Sequence, residues 1–238
     1  MPSAPISFGI CVYPIQALDV IGFVDVLTNL TTSDVAKYGH RVPGIDLQTL
    51  LDASLDIVFH WVSRSMDPVE CTGRTTLQPT CTYADCPKLD YLLIGGPDPG
   101  RAVGDSIEVV SLRGFVRQQE PKLKKIFTTC TGALTLASTG LLDGHEATVN
   151  HFFIPWAKTN FPLVKWISDK NWVEGDKFWT SSGSLAGMDM AGEWVRQVTE
   201  RPELLYLTTI VLDWRPRNVN GKSVDHYDGN SNLIQGPC

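Results

Sequence analysis

The sequence lacks an apolar run approaching the ~18 residues that a membrane-spanning helix needs. It also lacks a basic cluster with interleaved aromatic residues, and its formal net charge of −6 at pH 7 argues against a nucleic-acid-binding surface. The segment Met1–Pro5 has neither the charged region nor the long apolar region of a secretory signal peptide. We therefore expect a cytoplasmic protein that binds neither a membrane nor nucleic acid.

The sequence has six cysteines, an even number that could form disulfides, at Cys11, Cys71, Cys81, Cys86, Cys130 and Cys238. Without a secretory signal, we expect reduced thiols and no disulfide framework. The central trio of cysteines contains no close Cys-x-x-Cys pair and no histidine lies among them, which disfavours a zinc site. The sequence therefore predicts no bound metal.

The chain has 238 residues, of which 43% are hydrophobic, and this is enough for one sizeable core. Strand-like and helix-like segments alternate, which predicts a single α/β domain over residues 1–238 with a mostly parallel sheet covered on both faces. The predicted strands are Ile6–Tyr13, Leu55–Arg64, Tyr91–Ile94, Lys125–Thr129 and Ala147–Asn150, and the predicted helices are Val20–Leu30, Ser106–Gln119, Thr131–Thr139, about Ala186–Glu200 and Pro202–Asp213. The polar, glycine- and asparagine-rich tail, about 215–238, is expected to be irregular.

The apolar run Lys125–Thr129 ends at Cys130, and a small-residue helical pattern begins at Thr131. A strand-to-helix turn of this kind presents a nucleophile. The unpaired N–H groups and the dipole of a helix N-terminus favour a thiolate. Such placement can lower a thiol pKa to roughly 3.5–7.5. Cys130 is therefore the candidate nucleophile, and the nearby N–H groups can hold a developing negative charge.

Two other predicted strand ends carry informative residues. Asp19 follows the first strand at the start of a helix, where helix capping is a common role for aspartate. Gly95 and Gly96 follow the strand Tyr91–Ile94, where they make a tight turn or let backbone N–H groups approach an oxyanion. Ligands of open α/β sheets gather at the carboxyl ends of the strands, so we expect these residues and Cys130 to lie around one site.

Three segments resemble the ThiJ/PfpI superfamily of the class I glutamine amidotransferase-like folds: Ile94–Pro97, Thr129–Leu134 and Ser182–Ala191. The resemblance extends from about Ile6 to Trp194, and the cysteine turn is its most specific part. It implies a flavodoxin-like three-layer sandwich with a mostly parallel sheet and a cysteine nucleophile elbow. It also implies a homodimer.

Within that superfamily, the chain most resembles the isonitrile hydratases. The segments that carry this likeness are Leu18–Gly22, Cys130–Gly132 and Leu141–His151. Phe23 stands where proline is common, Asp25 stands where glutamate is common, and the region Asp67–Pro87 looks longer than usual. These departures leave the chemistry in place and bear on the choice of substrate.

The resemblance implies hydration of a small isonitrile to an N-formamide without metal or organic cofactor. Cys130 would attack the isonitrile carbon to give a thioimidate, and Asp19 would serve as general acid and then as general base. The Thr131 hydroxyl would orient Asp19 or water. The backbone N–H groups of Gly96 and Thr131 would polarise the intermediate, with Gly95 beside them.

His151 follows the predicted strand Ala147–Asn150 and is a candidate partner for Cys130 or the substrate. The resemblance points instead to an acid-assisted cysteine without a triad. Two other functions stay open: a glutathione-independent glyoxalase or deglycase acting on 2-oxoaldehydes, and a non-catalytic sensor in which peroxide oxidises Cys130. Asp19 and Thr131 argue against the first, since its members usually carry glutamate and often a histidine partner.

Overall fold

The computed structural model describes residues 5–199 and 202–224, and only the backbone of 226–227 and 233–234. Its strands are β1 (Ile6–Cys11), β2 (Ile57–Ser63), β3 (Val69–Glu70), β4 (Thr76–Leu77), β5 (Cys81–Thr82), β6 (Tyr91–Ile94), β7 (Lys125–Thr128), β8 (Glu146–Ala147), β9 (Lys165–Trp166), β10 (Trp172–Glu174), β11 (Phe178–Ser181), β12 (His226–Tyr227) and β13 (Leu233–Ile234). Its α-helices are α1 (Leu18–Thr28), α2 (Thr32–Tyr38), α3 (Leu47–Ala53), α4 (Pro99–Ala102), α5 (Ile107–Gln119), α6 (Gly132–Ala137), α7 (Ile154–Asn160), α8 (Ser184–Thr199) and α9 (Pro202–Val211). None of these described helices is both long and apolar enough to cross a membrane.

The main sheet has seven strands in the order β10-β11-β7-β6-β1-β2-β5. Every neighbouring pair is parallel except β10–β11 at one edge. The central strands β1 and β6 are apolar and mostly buried, as expected for a parallel sheet covered by helices. The predicted α/β class with a mostly parallel sheet is confirmed, and it has the flavodoxin-like architecture.

An aromatic cluster holds the centre of the sheet to its covering helices. Phe8 of β1 stacks on Phe127 of β7 with ring centroids 5.8 Å apart. Trp194 of α8 lies edge-on to Tyr91 of β6 at 5.0 Å, and Phe23 of α1 lies 5.3 Å from Phe127. Aromatic pairs at such distances stabilise a core beyond the area that they bury. The cluster therefore locks β1, β6 and β7 together, and their carboxyl ends build the site.

Three predicted segments differ in the structure. The strand predicted at Ala147–Asn150 is limited to β8, which pairs with β9 outside the main sheet. The region Asp67–Pro87 contains the expected hairpin, formed by β3 and β4, but its β5 also joins the main sheet. In the tail, an isolated bridge joins Arg217 to Ser223, and β12 pairs with β13. The rest of the tail that was predicted to be irregular, and Cys238, lie outside the described residues.

Candidate active site

Cys130 occupies a strained elbow between β7 and α6. Its φ of 53° lies in the left-handed region, which non-glycine residues adopt at a cost of about 1–3 kcal/mol. The backbone around it is held firmly: the Cys130 N–H donates to the Ser181 carbonyl at 3.0 Å. At Gly132, a Cβ atom would lie 2.3 Å from the Ile94 carbonyl oxygen, so α6 starts in direct contact with the end of β6. The predicted strand-to-helix turn is confirmed, and its strain is typical of functional sites.

The Cys130 side chain opens on a cleft of about 470 Å³. The walls of the cleft come from three loops and three single side chains: 14–16, 70–72, 96–99, Arg101, Asn150 and Phe153. Cys130 is only 9% exposed, so the thiol lies at the bottom of the cleft. A space of this size accommodates a small-molecule substrate.

Asp19 lies behind the cleft, fully buried as the second residue of α1. Its Oδ2 atom accepts a hydrogen bond from the Gly96 N–H at 2.7 Å, and its Oδ1 atom accepts one from the Ser184 hydroxyl at 2.5 Å. The N-cap of α1 is Ala17, with no side-chain cap bond. The carboxyl group of Asp19 is therefore used for contacts between elements, and the helix-capping alternative does not describe it.

Burial raises the pKa of Asp19 from 3.8 to about 6, and the hydrogen bonds from Ser184 and Gly96 oppose that rise. The charged form loses hydration in the interior, which is the larger effect. A carboxyl group with a pKa near 6 changes protonation close to neutral pH. It is therefore suited to accept and return a proton within one reaction cycle.

Gly96 has a different role from the predicted one. Its N–H is taken by Asp19 and is not free to polarise an intermediate. A Cβ atom at Gly96 would lie 2.6 Å from both Asp19 Oδ2 and Thr131 Oγ1, so the glycine allows these two side chains to converge. Gly95 also fills a tight position, where a Cβ atom would lie 2.8 Å from Val20, and its carbonyl accepts a hydrogen bond from Tyr13.

Thr131 anchors the elbow to the glycine loop. Its hydroxyl donates to the Pro97 carbonyl at 2.6 Å, so this proton is not directed at Asp19 as predicted. The backbone N–H of Thr131 favours the Cys130 thiolate and so lowers the pKa of the thiol. Thr131 therefore contributes through its contact with the sulfur and through the loop that it holds.

The predicted lowering of the Cys130 pKa is wrong. Burial raises the pKa of this thiol above its usual value, and the nearby charge of Asp19 raises it further. The contacts that favour the thiolate, from Asn150 and Thr131, do not offset these two effects. The sequence pattern around Cys130 predicts a helix N-terminus, but it does not predict that the sulfur is buried. The resting thiol is therefore protonated at neutral pH and needs a base.

Asn150, which was not among the predicted site residues, contacts the thiol. Its Nδ2 atom lies 3.5 Å from Cys130 Sγ, while its Oδ1 atom accepts the Phe152 N–H at 3.1 Å and fixes the amide orientation. His151 does not join this cluster: it is exposed, and its Nε2 atom lies 3.0 Å from the Lys170 carbonyl oxygen. One sequence signal points to the position of Asn150: asparagine is a common N-cap residue, and Asn150 caps the short turn that begins at His151.

We expect Asn150→Ala to slow alkylation of Cys130 by iodoacetamide about 5-fold at a fixed, mildly alkaline pH. The amide stabilises the thiolate through one hydrogen bond, and such a bond contributes about 1 kcal/mol. Peptide-level mass spectrometry over time measures the rate at Cys130 alone. Asn160→Ala, on an exposed turn of α7, is the matched control and should label at the wild-type rate. An unchanged rate in folded Asn150→Ala would contradict this role.

Within residues 5–199 and 202–224, no three His, Cys, Asp or Glu side chains are grouped so as to hold a metal ion. The thiols of Cys71, Cys81 and Cys86 are free, and Cys71 lines the cleft. Of the two cysteines that line the cleft, Cys130 is the one at the elbow, with the buried carboxyl group of Asp19 behind it.

The chain is similar to several known proteins. The model of the DJ-1/PfpI family matches residues 26–197. Isonitrile hydratase from Pseudomonas putida is 30% identical over 189 residues, which cover 78% of this chain and 69% of that protein. The HTH-type transcriptional regulator GbdR from Pseudomonas aeruginosa is 29% identical over 136 residues, 56% of this chain and 35% of the regulator. A THiJ/PfpI family protein from Pseudomonas syringae has the same fold, with a TM-score of 0.66 at 20% identity over 91% of this chain and 82% of that one.

Proposed function

Because the chain belongs to the DJ-1/PfpI family, we propose that it is a cysteine-dependent isonitrile hydratase, which adds water to an isonitrile and releases an N-substituted formamide. One observation carries the proposal: a buried carboxyl group with a pKa of about 6 lies beside a protonated elbow thiol, while the candidate histidine lies elsewhere. The similarity to the Pseudomonas putida hydratase supports this choice.

The first half of the reaction joins the substrate to the enzyme. Ionised Asp19 takes the proton of the Cys130 thiol, and the thiolate attacks the terminal carbon of the isonitrile. A carbon–sulfur bond forms, and Asp19 returns its proton to that carbon. The product is a thioimidate, Cys130–S–CH=N–R, with Asp19 ionised again. A thiol activated by an adjacent base in this way needs no lowered pKa of its own.

The second half adds water and releases the product. Asp19 accepts a proton from water as the hydroxide adds to the thioimidate carbon, and the same proton passes to the nitrogen. In the resulting tetrahedral adduct, the hydroxyl oxygen loses its proton and the carbon–sulfur bond breaks. The proton returns to sulfur through Asp19, and R–NH–CHO leaves. One carboxyl group thus serves each proton transfer, which suits a pKa near neutrality.

The remaining contacts stabilise the sulfur as its charge changes. The Thr131 N–H and the Asn150 amide both favour the thiolate over the thiol. Donors that are already oriented in a water-poor site need little reorganisation when charge develops. Thr131 and Asn150 therefore support the attack of Cys130 and its later departure, in place of the predicted Gly96 N–H.

The rival functions fit these contacts less well. A 2-oxoaldehyde enzyme with a cysteine–histidine pair is disfavoured because His151 faces Lys170. A peroxide sensor needs a thiol that ionises readily, whereas burial raises the pKa of Cys130. The match to part of GbdR, a transcriptional regulator, favours a second candidate, a regulatory role without turnover. A homodimeric state and a cytoplasmic location remain proposals.

We expect the purified protein to convert simple alkyl isonitriles to N-formamides and to leave methylglyoxal unchanged. Formamide growth, followed by gas chromatography or NMR, measures the first activity, and lactate formation measures the second. When breakdown is slowed by Asp19→Asn, a thioimidate adduct should appear on the Cys130 peptide. Lactate formation through Cys130 without formamide would favour the 2-oxoaldehyde function. Isonitrile binding without formation of either product would favour the regulatory role.

A further inference from the structure

A hydrogen-bonded chain of three side chains connects the cleft to Asp19. Gln16 lines the cleft and donates from Nε2 to the Ser184 hydroxyl oxygen at 2.7 Å. Ser184, the first residue of α8, is nine-tenths buried and donates to Asp19 Oδ1. More than 160 positions of sequence separate Ser184 from both partners. Only the packing of α8 against α1 brings the three together.

The direction of these hydrogen bonds follows from the chemistry of the groups. The Gln16 amide nitrogen only donates, so the Ser184 oxygen must accept there. A serine hydroxyl has a single proton, which is then left for the carboxylate of Asp19. Gln16 therefore orients Ser184, and Ser184 holds Oδ1 of Asp19. The other oxygen, Oδ2, is held by the backbone of Gly96 and faces Thr131.

No charged side chain shares this duty within the described residues, since none of their ion pairs involves Asp19. The titratable groups that face Asp19 from neighbouring elements are the Cys130 thiol and the Tyr13 phenol. Burial raises the pKa of both, so both are neutral at pH 7. The ionised form of Asp19 therefore depends on two neutral donors, the Gly96 N–H and the Ser184 hydroxyl. Of these two, only the Ser184 hydroxyl belongs to a side chain.

We propose that Ser184 is a positioning residue, which, when oriented by Gln16, keeps the Asp19 carboxyl group anchored and ionised in the resting enzyme, ready to accept the thiol proton. This inference rests on the proposed acid–base function of Asp19. The hydroxyl of Ser184 acts through Asp19 and makes no contact with the reacting sulfur that the structure describes. Its effect is therefore on the titration of Asp19 and, through it, on the pH dependence of turnover.

The titration of Asp19 by ¹³C NMR, in protein labelled at the aspartate carboxyl carbon, tests this directly. Loss of a hydrogen bond to a charged group should raise the pKa of Asp19 in Ser184→Ala by about one to two units. Ser184→Thr retains the hydroxyl and should restore the wild-type pKa. Ser182→Ala is the matched control without shift, and Asp19→Asn assigns the resonance. Gln16→Ala should give a smaller rise and serves as the test should Ser184→Ala not fold.

The pH profile of isonitrile turnover provides the second measurement. The reaction starts from ionised Asp19, so the acid limb of kcat/KM should move to higher pH in Ser184→Ala by the shift that NMR measures. An unchanged Asp19 titration in folded Ser184→Ala and Gln16→Ala would overturn the inference. The NMR measurement requires no turnover. A shifted titration in a protein inactive on isonitriles would therefore overturn the proposed function while supporting the control of Asp19 by Ser184.

Discussion

Cys130→Ser and Cys130→Ala should lower isonitrile turnover to the background rate while the protein remains folded. A serine hydroxyl is a far weaker nucleophile than a thiol, because its proton is too tightly held for Asp19 to remove. The elbow itself should persist. It depends on backbone contacts, including the Cys130 N–H bond to Ser181, and a single side-chain hydrogen bond to the sulfur, from Asn150, is lost.

Steady-state assays and thermal melting by circular dichroism measure the two halves of this prediction. Cys86→Ser is the matched control: Cys86 lies outside the cleft lining, so its activity should be close to the wild-type value. The adduct expected on the Cys130 peptide should be absent from both Cys130 variants. If Cys130→Ser kept more than a few per cent of wild-type turnover, the Cys130 thiol would not be the nucleophile.

Asp19→Asn should lower kcat by roughly 10²-fold or more, the usual scale for a positioned acid or base. The amide keeps the size of the side chain but neither accepts the thiol proton nor delivers one to carbon. Asp25→Asn is the matched control, since Asp25 lies on the same helix and is exposed. Near-normal turnover in Asp19→Asn would leave Asp19 with a structural role alone.

The same substitution should change how stability depends on pH. The pKa of Asp19 is about 6 in the folded state and 3.8 ordinarily, so the folded protein binds the extra proton between these values. Binding of this proton stabilises the folded protein at low pH, and the stabilisation is lost as pH rises through 6. Its full contribution to the free energy of unfolding is on the order of 3 kcal/mol. Urea unfolding at pH 4.5 and pH 8 should therefore show wild type losing stability relative to Asp19→Asn. An equal difference at the two pH values would mean that Asp19 titrates normally.

Local patterns predicted the elbow cysteine and the residues around it because these patterns depend on neighbours in the chain. An apolar strand, a cysteine and a small-residue helix in succession predict a strand-to-helix turn, and the structure has this turn at Cys130. The carboxyl ends of parallel strands meet at one edge, which correctly placed Asp19 and Gly96 beside that elbow.

Local patterns could not decide which of two adjacent residues, Asn150 or His151, contacts Cys130. Asn150 and His151 differ by one position, but the chain leaves β8 before them and turns at His151. The turn directs the Asn150 amide to the sulfur and the imidazole to Lys170. The predicted strand at this place implied no such change of direction, so sequence reasoning selected the more familiar catalytic residue.

The parallel α/β fold, the elbow cysteine and the nearby aspartate could all be predicted from the sequence, since each follows from local pattern and strand order. The protonation behaviour of Cys130 and Asp19 could not be predicted in this way, because it depends on how the chain packs. Burial raises the pKa of both Cys130 and Asp19, and burial is a property of the packed protein. The partners that adjust this, Ser184 and Gln16, come from distant parts of the chain and meet only when α8 packs on α1.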